Sequence, residues 1–305
     1  MLGKNLIRIR ELGAEDITDI LDQAEAFMSI LDRDIKKVPT LRGKVIVNLF
    51  FEPSTRTRTS FELAGKILSA DVVNISKSTS SAVKGESLKD TALTIKSLGA
   101  DMIIVRDSHT GVPELLSRYG PFKVINAGDG AGEHPTQALL DMFTIRRRKG
   151  GFQGLNVTIV GDIAHSRVAR SNIFALTKLG ARVNLVSPPT LLPMDVDKLG
   201  VNVFHRLEDV YDRTDVLYLL RIQLEREKAS LFPSLREYAT LYGINAKRLS
   251  KFHSDVLVMH PGPINRGVEI SADVADSVVS LIEEQVHNGV VVRMAILFLM
   301  ARKGD

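Results

Sequence analysis

The sequence predicts an α/β protein made of two doubly wound parallel-sheet domains linked by helices. Two observations carry this. Short, continuous apolar runs alternate with amphipathic segments, which is how parallel strands covered on both faces by helices read. That alternation stops at a glycine pair, Gly150-Gly151, and then starts afresh.

In the first half the expected strands are Lys44–Phe51, Asp71–Ile75, Asp101–Val105 and Lys123–Ile125. Helical stretches separate them, such as Ser60 to Leu68, where Phe61, Ala64 and Leu68 fall on one face. A helix over Gly132 to Arg148 ends in Lys149-Gly-Gly, a helix stop and a plausible hinge. The second set of strands is Asn156–Val160, Arg182–Val186, Asp215–Leu220 and Asp255–Met259. The boundary is therefore placed near Gly150, giving domains 1–150 and 151–305. A last helix, 273–302, is long enough to pack back on the first domain. The basic run Arg146-Arg-Arg-Lys149 reads as a solvated helix end, favourable at the negative pole of the dipole.

Composition narrows the chemistry. With 305 residues, 44% of them apolar and 25% charged, the chain can build two ordinary cores. Its net charge of +4, from 40 Lys and Arg against 36 Asp and Glu, is too mild to argue for nucleic acid. A few cations gathered on an anionic substrate explain it equally well. No cysteine is present, so disulfides, thiolate metal sites and cysteine nucleophiles are excluded. That usage fits a reducing compartment. The first residues lack a signal-peptide core. Val290 to Ala301, interrupted by Arg293, is too short to span a bilayer and reads as a buried helix. The expectation is a soluble cytoplasmic protein with neither nucleic-acid nor membrane partners.

Six segments can carry chemistry. In Phe51-Glu-Pro-Ser-Thr-Arg-Thr57 a strand ends at a proline and a helix begins with Ser54 or Thr55 as N-cap. First-turn N–H groups, three hydroxyls and Arg56 suit a phosphate, although a plain N-cap beside an exposed Arg reads the same way. In Ala127-Gly-Asp-Gly-Ala-Gly-Glu-His-Pro-Thr-Gln137, three glycines let backbone approach a ligand, and His134 and Gln137 open a helix with Pro135 near its first position. A neutral His can donate to a carbonyl and a Gln amide can engage a carbamoyl group. The alternative is a glycine turn with a capping His. Arg106 ends a strand, where open α/β sheets bind ligands. Ile159-Val-Gly-Asp-Ile-Ala-His-Ser-Arg167 resembles a dinucleotide turn but has one glycine and no GxGxxG, so Arg167 reads better as an anion ligand. Arg221 and Gln223 point the same way if extended. His260-Pro-Gly-Pro263 is a stiff turn whose carbonyls can accept from an NH2. No H-E-x-x-H, Walker A or G-x-S-x-G sequence occurs.

Taken together, Ser54-Thr-Arg-Thr57, Ser80 to Lys84, Arg106, His134-Pro-Thr-Gln137, Arg167, Arg221-Ile-Gln223 and His260-Pro-Gly-Pro263 resemble the carbamoyltransferase family. Their order and spacing are similar to those of its aspartate-using members over essentially the whole chain. The resemblance implies that the first domain binds carbamoyl phosphate and the second aspartate, with no metal or organic cofactor. Ser54, Thr55, Arg56, Thr57 and Arg106 hold the phosphate, and Arg56 also stabilises the leaving group. Thr55, Arg106 and His134 polarise the carbonyl, while Gln137 and the Pro263 region hold the NH2. Arg167, Arg221 and Gln223 take the aspartate carboxylates. Ser80 and Lys84 are lent to the neighbouring subunit, which implies a trimer with shared sites. Glu52 pairs with Arg167 and Arg226 when substrates close the domains.

Family members work as bare trimers, with regulatory chains or with dihydroorotase. Gly262 replaces a bulkier residue found in some members. The turn also lacks the Cys of the ornithine-using relatives, whose ammonium substrate Arg221 would repel. The competing readings are a carbamoyltransferase for another amino acid and a non-catalytic anion-binding module.

Overall fold

The apolar run after Lys44 folds as β1 (Val45–Phe50) in a computed structural model that describes residues 5–76, 86–222 and 234–302. It sits inside a parallel sheet ordered β2–β1–β3–β4, where β2 is Asp71–Ser76, β3 Met102–Asp107 and β4 Lys123–Asp129. The helices of this part are α1 (Ala14–Leu31), α2 (Thr55–Ile67), α3 (Leu88–Ser97) and α4 (Val112–Leu116). The chain steps from β1 to β2 on one side, then crosses to β3 on the other. The order therefore reverses between β1 and β3, which is where such sheets open a crevice at their carboxyl ends.

Burial follows the apolar pattern in β1, β3 and β4. The one polar residue within β1, Asn48, is fully buried and bonds across the register to Asn74 (Nδ2 to Oδ1, 2.8 Å), which in turn donates to Glu62 on α2 (2.9 Å). Left unsatisfied, that amide would cost about 1–3 kcal/mol. The expectation of strands covered on both faces fails for β2. It is an edge strand, and Val73 remains about half exposed. At the other edge Leu6 adds a parallel bridge to β4, its N–H donating to Val124 and its carbonyl accepting from Asn126 (both 2.9 Å).

The second sheet is also parallel, ordered β7–β6–β5–β8–β9. Its strands are β5 (Asn156–Val160), β6 (Arg182–Val186), β7 (Asn202–Phe204), β8 (Val216–Leu219) and β9 (Leu257–Met259). Here the reversal lies between β5 and β8. The strand β7 was not expected: it is three residues long and only partly buried, so it leaves no apolar run to read. The remaining helices are α5 (Pro135–Lys149), α6 (Arg167–Lys178), α7 (Leu235–Tyr242), α8 (Ala246–Leu249), α9 (Ala272–Ala275) and α10 (Ile282–Ala301).

The chain divides into two compact units, Met1–Phe143 with Val286–Asp305, and Thr144–Gln285. The divisions fall inside α5 and α10, a few residues before the glycine pair in the first case. The helix expected from Gly132 starts instead at Pro135, whose missing N–H and fixed φ suit a first position. The helix expected over 273–302 is two helices. The segment between them leaves the helical path to pair with β9, Val258 donating to Val279 (2.9 Å) and Leu281 donating back to Val258 (2.8 Å).

The basic end of α5 is not merely solvated. Lys149 binds Asp255 (2.9 Å) and Arg148 binds Glu284 (Nε to Oε2, 2.8 Å). From Val290 on, the helix α10 is apolar around its circumference apart from Arg293, and it is buried from Val291 to Leu297, Arg293 included. No helix among the described residues is long and apolar enough to cross a membrane.

Candidate active site

In the first unit the carboxyl ends of β1, β3 and β4 bring the expected residues to one edge of the sheet. Phe50 is in register with Arg106, and Phe51 donates its N–H to the Arg106 carbonyl (2.9 Å). Three residues on, Ser54 is the N-cap of α2 with extended backbone. Ser54 is thus one of the two N-cap residues expected, and its hydroxyl makes no capping bond, so the first-turn N–H groups are not satisfied by that side chain. Thr55 and Arg56 are exposed there and Thr57 is buried. A helix N-terminus of this kind favours an anion. Arg106 donates to the Ala127 carbonyl (3.2 Å) and to Glu52 Oε1 (3.1 Å).

In the glycine-rich turn after β4, two of the glycines are required by the packing of the protein itself. A Cβ on Gly130, where φ is +45°, would meet the Ser108 carbonyl at 2.7 Å, and one on Gly132 would meet the Asp129 carboxylate at 2.6 Å. That carboxylate is buried and accepts from Gly111 N–H (2.8 Å), Glu133 N–H (2.9 Å) and Asn126 Nδ2 (2.8 Å). Glu133, also buried, accepts from Ile9 N–H (2.7 Å), and burial pushes its carboxyl above the usual range. This polar knot fixes the entry to α5. His134 then caps that helix, accepting backbone bonds from Gln137 and Ala138, with its Nδ1 3.5 Å from the Thr136 hydroxyl. Both His134 and Gln137 are buried, and the Gln137 amide donates to Asp141 (3.0 Å).

In the second unit the strands flanking the reversal supply the two arginines. After β5, Asp162 accepts from His165 N–H (3.1 Å) and lies 2.9 Å from its Nδ1. Ser166 caps α6 through Ala169 N–H (3.1 Å), which sets Arg167, buried, at the first helical position. Arg221 follows β8, half-buried. After β9, His260 Nδ1 accepts from Gly262 N–H (2.8 Å) and its Nε2 lies 3.3 Å from Glu269 Oε1, which also accepts from Asn265 N–H (2.5 Å). With this support below, Pro263 stands exposed after a cis Gly262–Pro263 bond. Asn265 reaches the Ile222 carbonyl (3.4 Å), linking this turn to the stretch that bears Arg221. Ser80, Lys84, Gln223 and Arg226 lie outside the described residues.

Two family models match the chain: the carbamoyl-phosphate-binding domain of aspartate/ornithine carbamoyltransferases over residues 4–147 and their Asp/Orn-binding domain over 153–300. The chain belongs to the aspartate/ornithine carbamoyltransferase family. It is 58% identical to an aspartate carbamoyltransferase catalytic subunit from Syntrophus aciditrophicus, over 97% of each chain. Its fold matches the Trypanosoma cruzi aspartate transcarbamoylase solved with carbamoyl phosphate and aspartate (TM-score 0.89, 33% identity, 97% of this chain and 96% of that one). It also matches the catalytic subunit of the M. jannaschii enzyme (TM-score 0.86, 37% identity, 99% of each chain). Family membership gives the two arrays a common meaning, since one model is named for carbamoyl phosphate and the other for the amino acid. Asn126, Asp129, Glu133, Asp141, Glu269 and Arg293 were not anticipated. Each is a buried polar residue in a turn, strand or helix where the sequence carries no recognised motif.

Proposed function

We propose that the chain transfers the carbamoyl group of carbamoyl phosphate to the amine of L-aspartate, giving N-carbamoyl-L-aspartate and phosphate, a step that feeds pyrimidine synthesis. The observation that carries this is the convergence of the α2 N-terminus, Arg106 and the His134–Gln137 turn at the carboxyl ends of three adjacent strands. Carbamoyl phosphate brings about two negative charges and aspartate two carboxylates. Arg56, Lys84, Arg106, Arg167 and Arg221 match them. Ser54, Thr55, Arg56, Thr57 and Arg106 hold the phosphate, with Ser80 and Lys84 from the next subunit of a homotrimer. The aspartate amine attacks the carbamoyl carbon, and the oxyanion forms among Thr55, Arg106 and His134. Gln137 and the Pro263 carbonyl region hold the NH2. A phosphate oxygen takes the amine proton, and Arg56 stabilises phosphate as it leaves. Holding both reactants in line supplies much of the acceleration. Assay of the purified protein with aspartate, ornithine and N-acetylornithine tests the assignment. Turnover confined to either of the latter two would overturn it.

The donor set supports a reaction without metal: cations and hydroxyls suit oxyanions, whereas hard divalent ions are held by grouped carboxylates. Activity is expected to survive exhaustive EDTA treatment. Loss of activity restored by one divalent metal refutes this.

Glu52 offers a second test. It accepts from Arg106 in the structure. In the proposed cycle it exchanges that partner for Arg167 and Arg226 as substrates bind, excluding water from the reaction. Glu52→Ala should retain carbamoyl phosphate binding yet lose aspartate affinity and turnover, and a bisubstrate analogue should no longer compact it fully in solution scattering. Native compaction of the variant removes Glu52 from the role. The protein is proposed to act in the cytoplasm, as a bare trimer or joined to a regulatory chain or dihydroorotase.

A further inference from the structure

We propose that Asp141 is a positioning residue that fixes which way the Gln137 amide faces. This rests on the assignment of Gln137 to the carbamoyl NH2. The two residues are one turn apart on α5 and so share a face. Gln137 Nε2 donates to Asp141 Oδ1 at 3.0 Å. A carboxylate only accepts, so the amide must turn its NH2 towards Asp141 and its Oε1 away. Among the described residues Oε1 takes no donor, and Gln137 keeps a small exposed area where Asp141 has none. An amide oxygen presented in this way accepts from an NH2, whereas the flipped amide would set donor against donor.

A buried cation on α10 acts on Asp141 electrostatically. The Arg293 guanidinium packs 5.1 Å over the Phe61 ring and donates to the Gly289 carbonyl (3.0 Å). A Cβ on Gly289 would meet its Nη1 at 2.5 Å, so glycine there reserves the space. Burial pushes Arg293 down to about 9, with the charge of Asp141 opposing that fall and Arg106 adding to it. Asp141, which holds the amide, is thus also an electrostatic partner of Arg293.

The test is a double-mutant cycle in steady-state kinetics. Asp141→Asn keeps the shape but can donate, so Gln137 loses its fixed sense. The expected result is a fall of about tenfold in kcat/KM for carbamoyl phosphate, with inhibition by inorganic phosphate unchanged. Gln137→Ala should lose at least as much, and the double variant should be no worse than Gln137→Ala alone. Should Asp141→Asn fold poorly around the stranded cation, Asp141→Asn/Arg293→Met removes that charge and should show the same kinetics. If Asp141→Asn keeps native kcat/KM while Gln137→Ala is impaired, the orientation role is wrong and the role of Gln137 stands. Losses that add in the double variant make Asp141 merely structural and also overturn the proposal. Native activity in Gln137→Ala overturns both.

Discussion

Replacing Arg221 by alanine is expected to weaken the use of aspartate about tenfold or more while carbamoyl phosphate binding stays near native. Arg221 leaves the carboxyl end of β8, one of the two strands at the reversal of the second sheet, and it is half-buried. The stretch that carries it is tied at Ile222 to the turn that follows β9. A guanidinium held there presents a fork that matches a carboxylate in two parallel bonds. Such a charge-assisted contact is worth roughly 1.5–3 kcal/mol, which sets the tenfold expectation. The residues proposed to hold the phosphate, Ser54 to Thr57 and Arg106, belong to the other unit, so carbamoyl phosphate affinity is expected to stay near native. Separate titrations with each substrate read the difference, and an equal loss for carbamoyl phosphate would sink the assignment. Arg221→Lys should recover only part of the loss, because an ammonium keeps the charge without the fork.

Much of this was legible because parallel sheets buried on both faces need continuous apolar strands, and those stand out in sequence. The eight strands that were expected are all present, several within a residue or two of their limits. What escaped were elements that burial does not announce. One is β7, short and at an edge. Another is the bridge through Leu6, a single residue of pairing. A third is the break between α9 and α10, caused by β9 finding partners in the segment between them.

The site divides in the same way. The residues proposed to meet substrate cluster at strand ends and helix starts, where Ser, Thr, Arg and His are conspicuous against the apolar runs. Residues that hold those groups in place look ordinary in sequence. Asp141 reads as a charge in the middle of a helix and Arg293 as an interruption in an apolar one. Asp141 lies one helical turn from Gln137, and only the fold brings Arg293 within electrostatic reach of it. Gly130 and Gly132 are required by the Ser108 carbonyl and the Asp129 carboxylate, although the same spacing reads equally well as a ligand-binding turn.

Arg56→Ala and Lys84→Ala should each be nearly inactive alone, yet regain activity when mixed, dissociated and reassembled. Arg56 opens α2 beside the strand ends of its own chain. Lys84 follows Ser78-Thr-Ser-Ser-Ala82, small residues suited to a reaching loop, and the proposal gives it to the neighbouring site. A head-to-tail ring would supply each site with one such loop. An intact site then needs its own chain to carry Arg56, a chance of about one half, and its neighbour to carry Lys84, again about one half, so random closed rings should recover about a quarter of the sites. The bland alternatives predict otherwise. If Lys84 is a solvated charge, Lys84→Ala stays active. If it serves its own chain, every mixed ring holds only sites lacking one cation or the other, and mixing restores nothing. Either result ends the shared-site proposal and leaves the carbamoyl transfer untouched, because that assignment rests on Arg106, His134 and the α2 N-terminus within a single chain.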